Sequence, residues 1–366
     1  LHDALPIFRN HRRVVGEHRD AATATARANS IYAPGTEMIG IATQAILLGI
    51  GATMAANGRI TVGELAAFLL FLTSFFAPVQ TLVQLYNSYQ QGGAAIVKLR
   101  ELLSTEPIVA QATDASELPL IAGEIALNDV TFSYAPGRPV LHNVDLRIHP
   151  GETVAFVGET GSGKSTIARL ITRFHDPDSG TITIDGHDLR TVTLRSLRSQ
   201  LGVVPQEPFL FAGCIRDNVA FARPGATDEE LREALEAVGI DDLVDRIGGL
   251  DAPVHERGAS LSAGERQLLA LARAFVARPR VLVLDEATSN LDLHSESRVE
   301  QALDVVLEGR TAVIIAHRLA TARRADRIAV VDAGEIVELG SHNELVALGG
   351  RYTQMYDTWV AHGGAE

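Results

Sequence analysis

The 366-residue chain has a single cysteine, a single tryptophan and only two lysines. One thiol, Cys214, excludes an internal disulfide and fits a reducing compartment, where it reads as a buried, inert side chain. With arginine supplying nearly every positive charge, either lysine, Lys98 or Lys164, is informative wherever it falls in a motif. Basic residues are also too few: 32 against 45 acidic ones leave a net charge of −13. A duplex nucleic-acid binder needs a basic face to replace phosphate counterions, so no nucleic-acid partner is expected. No initiating methionine is present, and the opening "LHDALPI" has neither the charged start nor the apolar run of a signal peptide; it reads as a cut end, foreign in origin over its first seven residues. Internal repeats and low-complexity tracts are lacking as well.

What the chain does have is 46% hydrophobic residues and length for two or three domains. Residues 38–56, "MIGIATQAILLGIGATMAA", carry no charge over a length that spans a bilayer core, and residues 65–97 are again uncharged. Membrane helices are expected at about 38–56 and 65–86, joined by a tight turn at "NGRITVGE". Arg9, Arg12, Arg13, Arg19 and Arg27 precede the first run, and Lys98 and Arg100 follow the second. By the positive-inside rule both outer ends are cytoplasmic. Two helices cannot enclose a pathway, so residues 1–103 read as part of a larger membrane domain. A polar, proline-containing linker is expected over 104–120. From 121 to 360 the apolar stretches "ETVAFVG", "TITID", "VLVLDE" and "TAVIIAH" alternate with helical segments, which predicts an α/β domain with a largely parallel sheet and sites at the strands' carboxyl ends.

After the strand "TVAFV" comes "GETGSGKST": Gly158, Glu159, Thr160, Gly161, Ser162, Gly163, Lys164, Ser165 and Thr166. This is the P-loop pattern, whose glycines let backbone N–H groups point at phosphate oxygens while the following helix adds positive potential. Lys164 would reach the β- and γ-phosphates of ATP, and the Ser165 hydroxyl would ligate Mg²⁺. The buried strand "VLVLDE" supplies the acids such a site needs: Asp285 for the metal and Glu286 beside it to orient or deprotonate a water, which favours hydrolysis over transfer. His317 follows another buried strand, where it contacts a phosphate or merely caps a core. Gln206 also follows a strand, and a lone glutamine says little. In "LSAGERQLLALARAF" Ser262 and Glu265 form a capping box, yet Gly264 sits inside that first turn at a cost of about 1 kcal/mol relative to alanine.

In this order, with Tyr134 in "VTFSYAPGRPVL" ahead of the loop and "LDEATSNLD" behind the signature, these segments resemble an ATP-binding cassette (ABC) exporter half-transporter with fused membrane and nucleotide-binding domains. The resemblance runs from Ile121 to about Trp359, and "GRITVGELAAFLLFLTSFFAPV" looks like the end of an exporter membrane domain. It implies an ATPase working as a dimer with a second half-transporter, in the cytoplasmic membrane, multi-pass, moving a small molecule or lipid. Tyr134 would stack on adenine, Gln206 would touch Mg²⁺, Glu286 would be the catalytic base and His317 the γ-phosphate contact. Asp292 would lie where two such domains meet. Ser262 and Gly264 would face ATP held by the partner, Gly264 because a side chain would obstruct the phosphate. Two positions depart from the usual Leu-Ser-Gly-Gly-Gln: Ala263 and Glu265, the latter expected to fold back onto the Ser262 N–H. The competing readings are a soluble cassette ATPase, a P-loop kinase, and a truncated chain with ATPase but no transport activity.

Overall fold

The computed structural model describes residues 4–285, 293–316 and 319–363. It divides into two compact units, Leu1–Thr105 and Glu106–Glu366.

The first unit is a pair of long helices, α1 (Ala4–Ala56) and α2 (Val62–Leu103). At 1.5 Å per residue they are about 80 and 63 Å long, far longer than a bilayer core of about 30 Å. They are joined by a short turn and a capping box, in which the Thr61 N–H donates to Glu64 Oε2 at 2.7 Å and the Glu64 N–H to Thr61 Oγ1 at 3.1 Å. Gly51 lets the helices approach, since a Cβ there would stand 2.2 Å from Leu65 Cδ1. Met38, Ile41, Ile46, Phe68, Leu70 and Phe71 all face outward, an apolar surface too large for a water-facing helix pair. Among the described residues one helix segment, Met38–Ala56 with a mean hydropathy of 1.7, is long and apolar enough to cross a membrane, where two were expected. The second apolar stretch among the described residues is Val62–Phe75, and the rest of the expected span at 65–86 includes residues whose side chains lie outside the described ones.

The second unit is built on a four-stranded and a six-stranded sheet, with a small two-stranded one pairing Gly213–Cys214 and Pro253–Val254. Strands β1 (Ile125–Ala135), β2 (Arg138–Ile148) and β4 (Ser179–Ile184) form an antiparallel sheet with a short strand at His187–Asp188, in the order β2-β1-β4-(187–188). The six-stranded sheet contains β3 (Thr153–Val157), β5 (Leu201–Val204), β6 (Val281–Asp285), β7 (Thr311–Ile315), β8 (Arg327–Asp332) and β9 (Glu335–Gly340), in the order β9-β8-β3-β7-β6-β5. All its pairings are parallel except β8 with β9. The reason is compositional: "VAFV", "VLVL" and "AVII" are apolar on both faces and fully buried, as central parallel strands must be. "TITID" belongs instead to the antiparallel sheet, where its alternating exposure matches a strand with one wet face.

Helix α3 (Lys164–Ile171) follows β3, α4 (Ala263–Ala277) precedes β6, and α5 (Leu293–Leu307) precedes β7. The unit closes with α6 (His342–Leu348) and α7 (Arg351–Gly363). The segment after Thr105 is docked on this unit rather than loose. Val109 and Leu118 are buried, and the Leu118 N–H donates to Ser196 Oγ at 2.9 Å. The buried guanidinium of Arg173, just past α3, donates to the Val192 and Ala110 carbonyls at 3.0 and 3.4 Å.

Candidate functional site

Strands β3, β5, β6 and β7 run parallel, so their carboxyl ends share one edge of the sheet, and that edge collects the expected site. The loop 158–163 leaves β3, Asp285 ends β6, and Gln206 lies two residues past β5, exposed. Glu286, Asp292 and His317 lie outside the described residues.

The loop after β3 is shaped by contacts no other residue type would permit. At Gly158 φ is +153°, and a Cβ would stand 2.1 Å from the Val331 carbonyl oxygen. Gly163, at φ +113°, is the N-cap of α3 and offers no side chain to the free N–H groups of the first turn, which are left for an anion. Inside the loop, Lys164 is only 4% exposed, and its Nζ donates to the Gly158 and Glu159 carbonyls, each at 2.8 Å. The Ser162 hydroxyl is buried with no hydrogen-bond partner among the described residues. A buried ammonium and an orphaned hydroxyl at a helix N-terminus fit a polyphosphate.

A cavity of about 320 Å³ opens over this loop, lined by Tyr134, Thr160, Lys164, Ser165, Thr166 and Arg169 among others. The structure thus brings Tyr134 to the P-loop across 30 positions of sequence. Its hydroxyl lies 3.2 Å from Thr166 Oγ1 and accepts from Arg169 Nη1 at 3.2 Å. Its ring stands edge-on to Phe132 and His175, with centroids 4.9 and 5.3 Å away. Arg169 and His175 were not singled out from the sequence; only the spacing Lys164 to Arg169, one and a half helical turns along α3, could have pointed to the former. Ser165, at the start of α3, and Asp285 stand at the same sheet edge with β7 between their strands. A hydroxyl and a carboxylate are the hard oxygen donors that Mg²⁺ takes, so these residues fit the metal.

Ser262 and Gly264 do not line this cavity. They begin α4, where Ser262 is the N-cap: its N–H donates to Glu265 Oε2 at 2.7 Å and its Oγ accepts the Glu265 N–H at 3.2 Å. The Glu265 carboxylate is therefore folded back onto the cap, as expected. Gly264 carries a further constraint. It is buried, and a Cβ there would stand 2.6 Å from Ser295 Cβ on α5, so the close approach that demands glycine is made by this chain's own helix. Cys214 differs from expectation: half-exposed, it caps the helix Ile215–Val219, with Sγ 3.0 Å from Asp217 Oδ2. Burial, and then this hydrogen bond to the carboxylate, push the thiol's pKa up, which keeps it protonated and unreactive.

One feature near Gln206 has no sequence signal strong enough to find it. Phe209, Phe211 and Phe221 form an exposed aromatic patch, with ring centroids 5.1 Å apart for the first pair and 4.6 Å for the second. The Arg273 guanidinium from α4 sits 5.4 Å over the Phe221 ring and donates to the Asn218 carbonyl at 2.9 Å, tying the patch to the helix that starts at Ser262.

The family of ABC transporter domains matches residues 141–289. The chain is 44% identical over 337 residues to an uncharacterized ABC transporter ATP-binding protein, YknV, of Bacillus subtilis, covering 92% of this chain and 56% of that protein. It is 39% identical over 336 residues to an ATP-dependent lipid A-core flippase of Syntrophus aciditrophicus, with the same coverage of both. Among solved structures, a bacterial Atm1-family ABC exporter with ATP bound superposes with a TM-score of 0.75 at 36% identity, over 100% of this chain and 65% of that one. The chain spans about half the length of the curated relatives it matches.

Proposed function

From the premise that this chain belongs to the ABC transporter family, whose ATP-binding domains hydrolyse ATP, we propose that it is the ATPase subunit of an exporter. Its cargo would be a small molecule or lipid, its location the cytoplasmic membrane, and its partner a second half-transporter. The observation that carries this reading is the pairing of a buried Lys164 with the orphaned Ser162 hydroxyl under a cavity that Tyr134 walls. Relatives described as a lipid A-core flippase, a fatty acid transporter and a probable multidrug resistance transporter support an export role.

In this reading the Lys164 ammonium leaves the Gly158 and Glu159 carbonyls and takes up β- and γ-phosphate oxygens, while the loop's N–H groups and the first turn of α3 hold the rest. The Tyr134 ring packs on the adenine. Ser165, Asp285 and Gln206 would hold Mg²⁺, which would supply charge neutralisation at the phosphate oxygens. Glu286 takes the proton of the attacking water, and His317 hydrogen-bonds the γ-phosphate. The Ser262 end of α4, which does not line the chain's own P-loop cavity, closes on the ATP of a second domain, with Asp292 at that contact. ATP then acts as the closing element of a clamp, and loss of the γ-phosphate contacts opens it.

The test is Glu286→Gln in the full chain in detergent. ATP turnover should vanish while an ATP-bound dimer remains; hydrolysis at the wild-type rate would remove Glu286 from its assigned role.

A further inference from the structure

The phosphate-binding loop contains one acidic side chain, Glu159, directly after its first glycine. A carboxylate on a loop that receives a polyphosphate opposes the attraction the loop is built for. In the structure this carboxylate is partnered. Arg351, the first residue of α7, donates from Nη2 to Glu159 Oε1 at 2.8 Å, and its Nε lies 3.5 Å from Asp332 Oδ2 at the end of β8. The start of α7 is itself anchored: Glu338 accepts the backbone N–H groups of both Arg351 and Tyr352, and the fully buried Tyr352 places its hydroxyl 2.7 Å from His342 Nδ1. The same part of the domain backs the loop elsewhere, because the Gly334 N–H donates to the Ser162 carbonyl at 3.0 Å and the Val331 carbonyl stands against Gly158.

We propose that Arg351 is a positioning residue of the nucleotide site. It cancels the charge of Glu159 and ties the loop to the C-terminal helix, so that the loop presents Lys164 and its backbone N–H groups to ATP without an opposing carboxylate. The proposal rests on the reading that residues 158–166 hold the ATP phosphates. Because both partners are partly exposed, at 39% and 73%, the effect is modest and salt-sensitive. Exposed pairs contribute up to about 1 kcal/mol, which is about fivefold in affinity.

ATP affinity measured by calorimetry on the full chain in detergent tests this. Arg351→Ala should weaken ATP binding about two- to fivefold at low salt, with the deficit shrinking in about 0.5 M salt as screening grows. Arg351→Lys should bind as wild type, and Glu159→Gln added to Arg351→Ala should restore the affinity. An unchanged Arg351→Ala overturns the proposal. So does a loss that Glu159→Gln does not restore or that salt does not reduce, because that pattern marks a damaged helix rather than an uncancelled charge. Lys164→Ala run alongside separates the two levels. If it binds ATP normally, the loop is not the phosphate site and the proposal falls with that reading; if it binds weakly while Arg351→Ala does not, only the role of Arg351 falls.

Discussion

Gly264 shows how one missing methyl group can have a cause that its neighbours in sequence do not reveal. The Cβ it lacks would meet Ser295, 31 positions away, and no local pattern announces that contact. Gly264→Ala is expected to destabilise the chain by about 1–3 kcal/mol, the range for overpacking a tight contact. Adding Ser295→Gly should recover most of the loss in thermal unfolding, whereas a phosphate-facing Gly264 would give a folded protein with weakened ATP-driven dimerisation and no rescue. At Lys164 the sequence is a better guide, since the loop, the preceding strand and the following helix are contiguous. Lys164→Ala should weaken ATP binding itself, by tenfold or more, because a charged hydrogen bond to phosphate is worth about 1.5–3 kcal/mol. Calorimetry returning the wild-type affinity would contradict the placement of Lys164 in the cradle. Arg169, His175 and the Tyr134 hydroxyl contacts were not legible, because they depend on how the antiparallel sheet lies over α3.

At the scale of elements, apolar runs bounded by turns marked β3, β6 and β7 well, since burial on both faces leaves a continuous signature. The sheet that each strand joins was less legible: "TITID" has the composition of either, and only its pairing with β1 decides. The cap of α4 was read correctly because it is local. Ser262→Ala should cost α4 about 1 kcal/mol in stability. Glu265→Gln keeps an acceptor for the Ser262 N–H, so ATP-driven dimerisation should change by less than tenfold, or about 1.4 kcal/mol; a larger gain would place the carboxylate against phosphate. Helices α6 and α7 meet through His342 and Tyr352. Burial, and then the positive charge of Arg323, lower the pKa of His342, so the folded state favours the neutral ring. Its contribution is complete above the unfolded value of about 6.5 and is lost as pH falls through the lower folded value. Thermal stability should therefore fall between pH 7 and 5, and His342→Gln should make that fall shallower.

For the whole molecule, the division into a helical unit and an α/β unit follows the change from uncharged runs to alternating strands and helices. Within the helical unit the uncharged run at 65–86 falls inside α2, whose described apolar part is Val62–Phe75. The α/β unit presents a P-loop cavity on one part of its surface and the Ser262 end of α4 elsewhere, so the proposed site needs two copies or a sister subunit. Specific ATPase activity of the full chain should then rise with protein concentration, as association by mass action requires. Activity independent of concentration across the range where monomer and dimer interconvert would contradict that requirement.

The internal bracing of the phosphate loop bears on kinetics. The Lys164 ammonium, hydrogen-bonded to the Gly158 and Glu159 carbonyls, braces from within a loop and helix start of nine residues, 158–166. Ordering that many residues afresh would cost about 9–18 kcal/mol of backbone entropy. A loop preorganised in this way need only exchange one set of partners for another, so nucleotide entry should be limited by encounter rather than by a folding step in the loop.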